Sequence, residues 1–222
     1  MADKTGLRAY LAQMTEIFPP APAVGTPMLP ARPSPEACGF LSLRRSANKA
    51  MLTSPGPTGE ALNEILATAM RVPDHRRMSP WRFIIFEGDA RARFGQAAAE
   101  VQRSEDPSAK PEALEATKTL LMRAPTVVAV VSSPTDDGKT PVWEQELSTG
   151  AVTYNLLLAA NAAGWAGVWL TEWLAFSEGI NKLLGLEDNE RLAGYIYLGT
   201  ATADPQERAR PDAAPLISHW SG

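Results

Sequence analysis

The stretch from Val142 to Ala163 constrains this chain more than any other, because from Ala151 to Ala163 it is apolar on nearly every side of a helix. A helix without a polar face must be covered all round. It is therefore expected to be the central, fully buried helix of a layered domain, with Gly164 as its C-cap. The chain has 222 residues, 45% hydrophobic and 21% charged. A globular chain of that size can build such cover without disulfide or metal staples.

The elements that would supply the cover are legible on either side. Leu62, Ile65, Leu66, Ala69 and Met70 recur at helical spacing, and Pro73 ends that helix. Ser34-Pro35 reads as an N-cap and first helical position, opening a helix that carries Phe40, Leu41 and Leu43 inward. Asp89 caps a helix running to about Arg103, Pro111 opens another, and Ser177 caps a short one that Gly185 stops. Strands are predicted at Arg82–Glu87 and at the β-branched run Thr126–Val131. Trp165–Thr171 and Leu192–Leu198 complete the set. Four or five strands interleaved with helices predict an α+β fold, a three-layer α/β/α sandwich with a mixed sheet around the central helix.

Ahead of this lies a different kind of sequence. A short amphipathic helix is predicted over 7–17. Seven prolines then fall between Pro19 and Pro35, which rules out a regular helix or a central strand. Residues 1–35 thus read as a Pro-rich arm and 36–222 as the domain. The segment 203–222 is expected to be an extended tail.

Several function classes are disfavoured. A formal net charge of −4 gives no basic field for nucleic acid. No run approaches ~18 apolar residues, so no membrane span is expected. One cysteine, Cys38, excludes a disulfide framework and is compatible with a cytoplasmic location. Two histidines and one cysteine, far apart, leave little for a transition-metal site. No Gly-x-Ser-x-Gly elbow, phosphate loop or Gly-x-Gly-x-x-Gly fingerprint is present.

Three segments carry chemistry. Arg44-Arg45-Ser46 sets two cations beside a hydroxyl, suited to gripping a phosphate or simply to a solvated helix end. Arg71-Val72-Pro73-Asp74-His75, continuing to Met78-Ser79-Pro80-Trp81, is a proline-braced loop that either presents Arg71 and His75 to a ligand or merely stops a helix. Gly164-Trp165-Ala166-Gly167-Val168-Trp169-Leu170-Thr171 alternates small residues with tryptophan, as a strand under a flat ligand or as a core strand.

Taken in order with Pro57-Thr58-Gly59-Glu60, Trp143-Glu144-Gln145-Glu146 and Tyr197-Leu198-Gly199-Thr200, these segments resemble the nitroreductase family, nearest to its short bacterial NAD(P)H nitroreductase subgroup. The resemblance covers about residues 36–220. It implies an FMN-bound homodimer with the flavin at the interface. By that resemblance Arg44, Arg45 and Ser46 contact the ribityl chain and phosphate, while Arg71 and His75 reach the flavin from the other subunit. Trp169, Leu170 and Thr171 lie over the ring, with Leu170 and Thr171 standing where relatives often have arginine or serine. Arg208 or Arg210 in the tail is a further candidate for the phosphate, and Ala159–Gly164 corresponds to a nicotinamide-nucleotide segment that reads equally as core.

The chemistry implied is hydride transfer from NADH or NADPH to flavin N5, then two-electron transfer to a nitroaromatic, quinone or similar small-molecule acceptor, in ping-pong order. No side chain acts as nucleophile. Arg71 or His75 would stabilise charge near flavin N1 and C2=O. Trp81, Trp143 and Trp169 are either walls of an acceptor pocket or core. Two alternatives stay open: a flavin-binding protein without turnover, and another chemistry such as reductive dehalogenation. The short loops at 103–112 and 132–141 argue against the substrate lids that the latter uses.

Overall fold

The computed structural model describes residues 16–222, so the helix expected over 7–17 lies outside the described residues except at its end. Six α-helices and five strands follow: α1 (Pro35–Leu43), β1 (Leu52–Thr53), α2 (Gly59–Ala69), β2 (Trp81–Glu87), α3 (Ala90–Glu105), α4 (Pro111–Lys118), β3 (Thr126–Ser132), α5 (Val142–Ala162), β4 (Ala166–Leu170), α6 (Glu178–Leu183) and β5 (Arg191–Ala201). In the sheet β3 lies between β2 and β5, and the other edge of β5 pairs with β4 and then β1. A mixed sheet was expected; every pairing among the described residues is antiparallel. Strand direction is set by the crossovers, which composition does not record.

β3 shows why this sheet needs helices on both faces. All its residues are buried. Val127, Ala129 and Val131 enter one core with Phe94, Ala98, Leu121, Leu174 and Ile180. Val128 and Val130 point the other way, against Leu62, Ile65 and Leu66 of α2 and Val152, Leu156 and Ala160 of α5. An uninterrupted apolar run is what a strand covered on both sides requires. The three-layer α/β/α arrangement expected from the element order is the one found.

Three expectations about burial change. α5 lies on one face of the sheet and is not wrapped all round: Trp143, Leu147 and Tyr154 on its outer side are 66%, 54% and 42% exposed. Its inner side carries a polar seam, in which Thr149 Oγ1 donates to the Pro80 carbonyl (2.9 Å) and Ser148 Oγ to that of Pro73 (2.6 Å). In α1 Phe40 is half-buried as expected, but Leu41 and Leu43 are exposed, since little among the described residues packs over that helix. Met70, placed on the inner face of α2 by periodicity, is exposed just past the helix end.

The capping signals were sound in two of three cases. Ser34 Oγ accepts the Ala37 amide (3.2 Å). Ser177 Oγ accepts the Ile180 amide (3.0 Å) and donates to Glu105 (2.8 Å), tying α6 to α3. Asp89 makes no side-chain cap bond. Ser177→Ala is expected to cost about 1 kcal/mol, since it removes a cap and its hydroxyl bond together; urea denaturation measures it.

The first described residues dock on α2. Glu64 accepts the backbone N–H groups of Ile17 (2.7 Å) and Phe18 (3.0 Å). The proline-rich segment continues from there without regular structure and forms, with α2 and Arg71, a cavity of about 560 Å³. Among the described residues no helix is long and apolar enough to cross a membrane, and no His/Cys/Asp/Glu group could hold a metal ion.

Candidate functional site

The Arg44-Arg45-Ser46 triplet sits where α1 stops. The Arg44 amide donates to Phe40 (2.9 Å) and the backbone turns extended at φ −60°, ψ 140°. The chain then runs beside β4, with the Ala47 N–H donating to the Gly167 carbonyl (3.0 Å). The triplet is thereby fixed against the edge strand of the sheet.

The Arg44 guanidinium is oriented by α5. It lies 5.7 Å from the centre of the Tyr154 ring, and Nη1 donates to the Tyr154 hydroxyl (3.4 Å). Nε donates to Asn161 Oδ1 (3.5 Å) and Nη2 to Ser46 Oγ (3.2 Å). Asn161 is itself held, its amide donating to the Trp165 carbonyl (2.8 Å). Gly39, Phe40, Leu43, Arg44, Arg45 and Asn161 line a cavity of about 430 Å³. Arg45 Nε is buried with no hydrogen-bond partner among the described residues. Buried donors are nearly always satisfied, so an orphan of this kind points to a missing acceptor.

The tail reaches the same place. Glu207 stands 3.9 Å from Arg45 and 3.0 Å from Arg210. The Arg208 amide, followed by Arg210 and Arg45, holds the Glu207 carboxyl below its ordinary range. Arg210 thus joins the triplet through a shared carboxylate, whereas Arg208 contributes its backbone N–H and is exposed.

Arg71 and His75 are elsewhere in this chain. His75 Nδ1 is 2.7 Å from Glu144 in the first turn of α5, while Arg44 reaches Asn161 in its last turn. Those two turns are roughly 25 Å apart at about 1.5 Å per residue. Arg71 is exposed beside the N-terminal segment. The loop from Asp74 to Ser79, which carries His75, is held by Asp74, whose carboxylate accepts the Met78 (3.0 Å) and Ser79 (2.9 Å) amides. Arg76, Arg77 and Ser79 all have positive φ, a strained run kept in place by those bonds and by the Arg76–Asp137 pair (3.2 Å).

On β4, Trp169 Nε1 donates to the Ala193 carbonyl (3.1 Å), and its ring lies on Gly194. A Cβ on Gly194, whose φ is +146°, would come 2.3 Å from that nitrogen, so only glycine admits the indole. Leu170 packs partly into the core and Thr171 is exposed. Trp81 also packs against the core, whereas Trp143 is mostly exposed on the outer face of α5. Ala159, Ala160 and Ala163 are buried in the core under α5, the core alternative for that stretch.

Two residues escaped the sequence reading: Tyr154 and Asn161. The available signal was a pair of asparagines, Asn155 and Asn161, inside the apolar run of α5.

A sequence model of the Nitroreductase family matches residues 42–200. The chain is 34% identical over 193 residues to "Putative NAD(P)H nitroreductase YdjA" of Escherichia coli (strain K12), covering 83% of this chain and all of that one. YfhC of Bacillus subtilis (strain 168), which has the same designation, is 29% identical over 168 residues, 75% of this chain and 85% of its own length. Among solved structures, a nitroreductase-like family protein from Bacillus cereus superposes with a TM-score of 0.71 at 21% identity, covering 88% of this chain and all of that one. Nitroreductase CinD from Lactococcus lactis, in complex with nicotinic acid, gives 0.65 at 19% identity, over 83% of this chain and all of that one. The FMN and NADPH-dependent nitroreductase NfnB gives 0.62 at 19%, over 82% and 98%. These structures share the fold. Because the family model spans most of the chain and a relative one-third identical is covered from end to end, the chain belongs to the nitroreductase family.

Proposed function

We propose that this protein is an FMN-dependent oxidoreductase working as a homodimer, taking electrons from NADH or NADPH and delivering them to a nitroaromatic, quinone or similar small acceptor. The observation that carries the reading is the Arg44-Arg45-Ser46 cluster, preset by Tyr154 and Asn161 beside a cavity of about 430 Å³, with a buried Arg45 Nε that has no acceptor among the described residues. Two guanidinium forks and a hydroxyl fit a phosphate, each by charge-assisted hydrogen bonds. Bound there, FMN supplies the two-electron redox chemistry.

The chain's own work is binding, orientation and exclusion of water. Arg44 and Ser46 hold phosphate oxygens, and Arg45 turns its Nε to the same group. Arg210 adds positive charge nearby and is partly neutralised by Glu207. The end of β4 backs the ring with Trp169, Leu170 and Thr171. The Trp169 N–H is already spent on Ala193, so its indole serves as a wall.

The second copy completes the site. Two identical chains packed through the exposed stripe of α5, about a two-fold axis perpendicular to that helix, run the two copies of it antiparallel. That sets the Glu144 end of one helix beside the Asn161 end of the other. Arg71 and His75 of the partner subunit then face the Arg44 cluster, where a cation stabilises negative charge on the reduced ring. The exposed Trp143, Leu147 and Tyr154 are the apolar surface such packing would bury.

The test is anaerobic addition of NADH or NADPH to the FMN-loaded protein, followed by a quinone or nitroaromatic. Bleaching of the flavin and recovery of its colour on adding acceptor are expected. A loaded protein that neither nucleotide bleaches is a flavin binder without turnover and overturns the reading.

A further inference from the structure

At one end of the sheet three segments meet at one carboxylate, that of Glu172. Glu172 follows the end of β4 by two positions, and its backbone is at φ 51°, ψ −172°. That region is essentially glycine's, and another residue stays there only when its surroundings over-determine it. Here the surroundings are ionic. Oε1 of Glu172 takes Lys49 Nζ and, at 2.8 Å, Arg123 Nη1. The Glu172 side chain is 20% exposed, and its Oε2 is buried without a hydrogen-bond partner among the described residues. Tyr197 of β5 lies beneath; burial and the Glu172 charge push its pKa up.

The location of the two cations gives this cluster its meaning. Lys49 stands three positions beyond Ser46, in the turn that leads into β1. Arg123 closes the turn that leads into β3. Glu172 therefore ties the end of β4, whose Trp169, Leu170 and Thr171 would back a flavin ring, to the segment whose Arg44, Arg45 and Ser46 would hold its phosphate. The Ala47–Gly167 backbone bond joins the same two segments near their start. With both in place the segments have one spacing.

We propose that Glu172 is a positioning residue: through Lys49, and braced by Arg123 from the turn into β3, it sets the distance between the phosphate-holding segment and the ring-backing end of β4, and so favours a flavin that carries a phosphate. The inference rests on the FMN reading above. A ligand that engages both segments gains from their fixed spacing, as any two-point binder does. Riboflavin keeps the ring and the ribityl chain but lacks the phosphate, so it forgoes the charge-assisted bonds to the Arg44-Arg45-Ser46 segment and depends much less on the spacing.

The experiment is titration of apo-protein with FMN and with riboflavin, read by quenching of flavin fluorescence, alongside thermal unfolding of the same samples. Glu172→Gln keeps the shape and removes the charge. It is expected to weaken FMN about tenfold while riboflavin stays within about twofold. Lys49→Met is expected to act in the same direction and less strongly. The double variant is expected to be no weaker than Glu172→Gln alone, because Lys49 acts through Glu172. If Glu172→Gln fails to fold, Glu172→Gly removes the clamp while relieving the backbone, and the same loss of FMN preference is expected. Equal weakening of both flavins, or an unchanged preference for FMN, would overturn the positioning role and leave the FMN reading intact. Wild-type protein that binds neither flavin would overturn both.

Discussion

Arg44→Ala protein is expected to lose FMN while remaining folded. With Nε on Asn161, Nη1 on Tyr154 and Nη2 on Ser46, the guanidinium is held in one orientation and keeps a second N–H on each Nη for a phosphate. A hydrogen bond to a charged group contributes about 1.5–3 kcal/mol, so losing one such contact weakens binding by roughly tenfold to a hundredfold at about 1.4 kcal/mol per decade. Losing the fork forfeits more than one contact, which puts Arg44→Ala at the upper end. Ser46→Ala removes one neutral donor and is expected to cost less, about tenfold. Arg44→Lys keeps the charge but not the planar fork, and should fall between the wild type and Arg44→Ala. The fold has little at stake, since the groups released are a half-buried asparagine and an exposed tyrosine. Fluorescence titration with FMN gives the affinities and thermal unfolding the stability. Unchanged FMN affinity in both alanine variants would remove the phosphate role from the triplet.

The largest effect on stability is expected at the Arg82–Glu190 pair. Glu190 has a side chain only 5% exposed and takes two bonds from Arg82, at 2.8 and 2.6 Å, plus the Glu187 amide at 3.1 Å. Arg82 also donates to the Gly185 carbonyl (3.3 Å), so this arginine on β2 pins the loop that leads into β5, on the far side of β3. The Arg82 hydrogen bond is the main reason that the Glu190 pKa falls from 4.5 to about 2, against the opposing effect of burial. A carboxyl whose folded pKa is depressed contributes stability that is complete above its unfolded value near 4.5. The contribution is lost as pH drops towards 2. Stranding a buried charge costs about 3–5 kcal/mol when the pair is fully dry. Arg82 is 38% exposed, and water would reach the stranded carboxylate, so about 2 kcal/mol is expected for Arg82→Ala at neutral pH. Urea denaturation of both proteins at pH 7 and at pH 3 checks this. The gap between them should narrow at the lower pH, and an equal gap at both would contradict the ionic account.

How much of this was legible beforehand depends on how local the signal is. β3 and α2 were readable because period and composition act within a few residues, and both faces of β3 had to be apolar to meet two cores. The triplet was readable for the same reason. α5 misled in one respect: apolarity says that a face needs covering, not whether the cover comes from the same chain. Trp143, Leu147 and Tyr154 face outward here, so the expected burial all round fails for a single chain. Asn161 and Tyr154 meet Arg44 from more than a hundred residues away, and no local pattern marks such a contact. Glu172 was hidden doubly. Its partners are distant, and positive φ is anticipated at glycine, not at a glutamate. The antiparallel direction of the sheet, likewise, is settled by how the crossovers run.

The central claim is that two copies of this chain grip one flavin phosphate nucleotide per site through Arg44, Arg45 and Ser46. The visible absorbance spectrum after reconstitution with FMN and removal of free flavin by gel filtration tests it most directly. Flavin absorbance eluting with a dimer, one FMN per chain, is predicted. Colourless protein after reconstitution, or a monomer carrying full flavin, would contradict it.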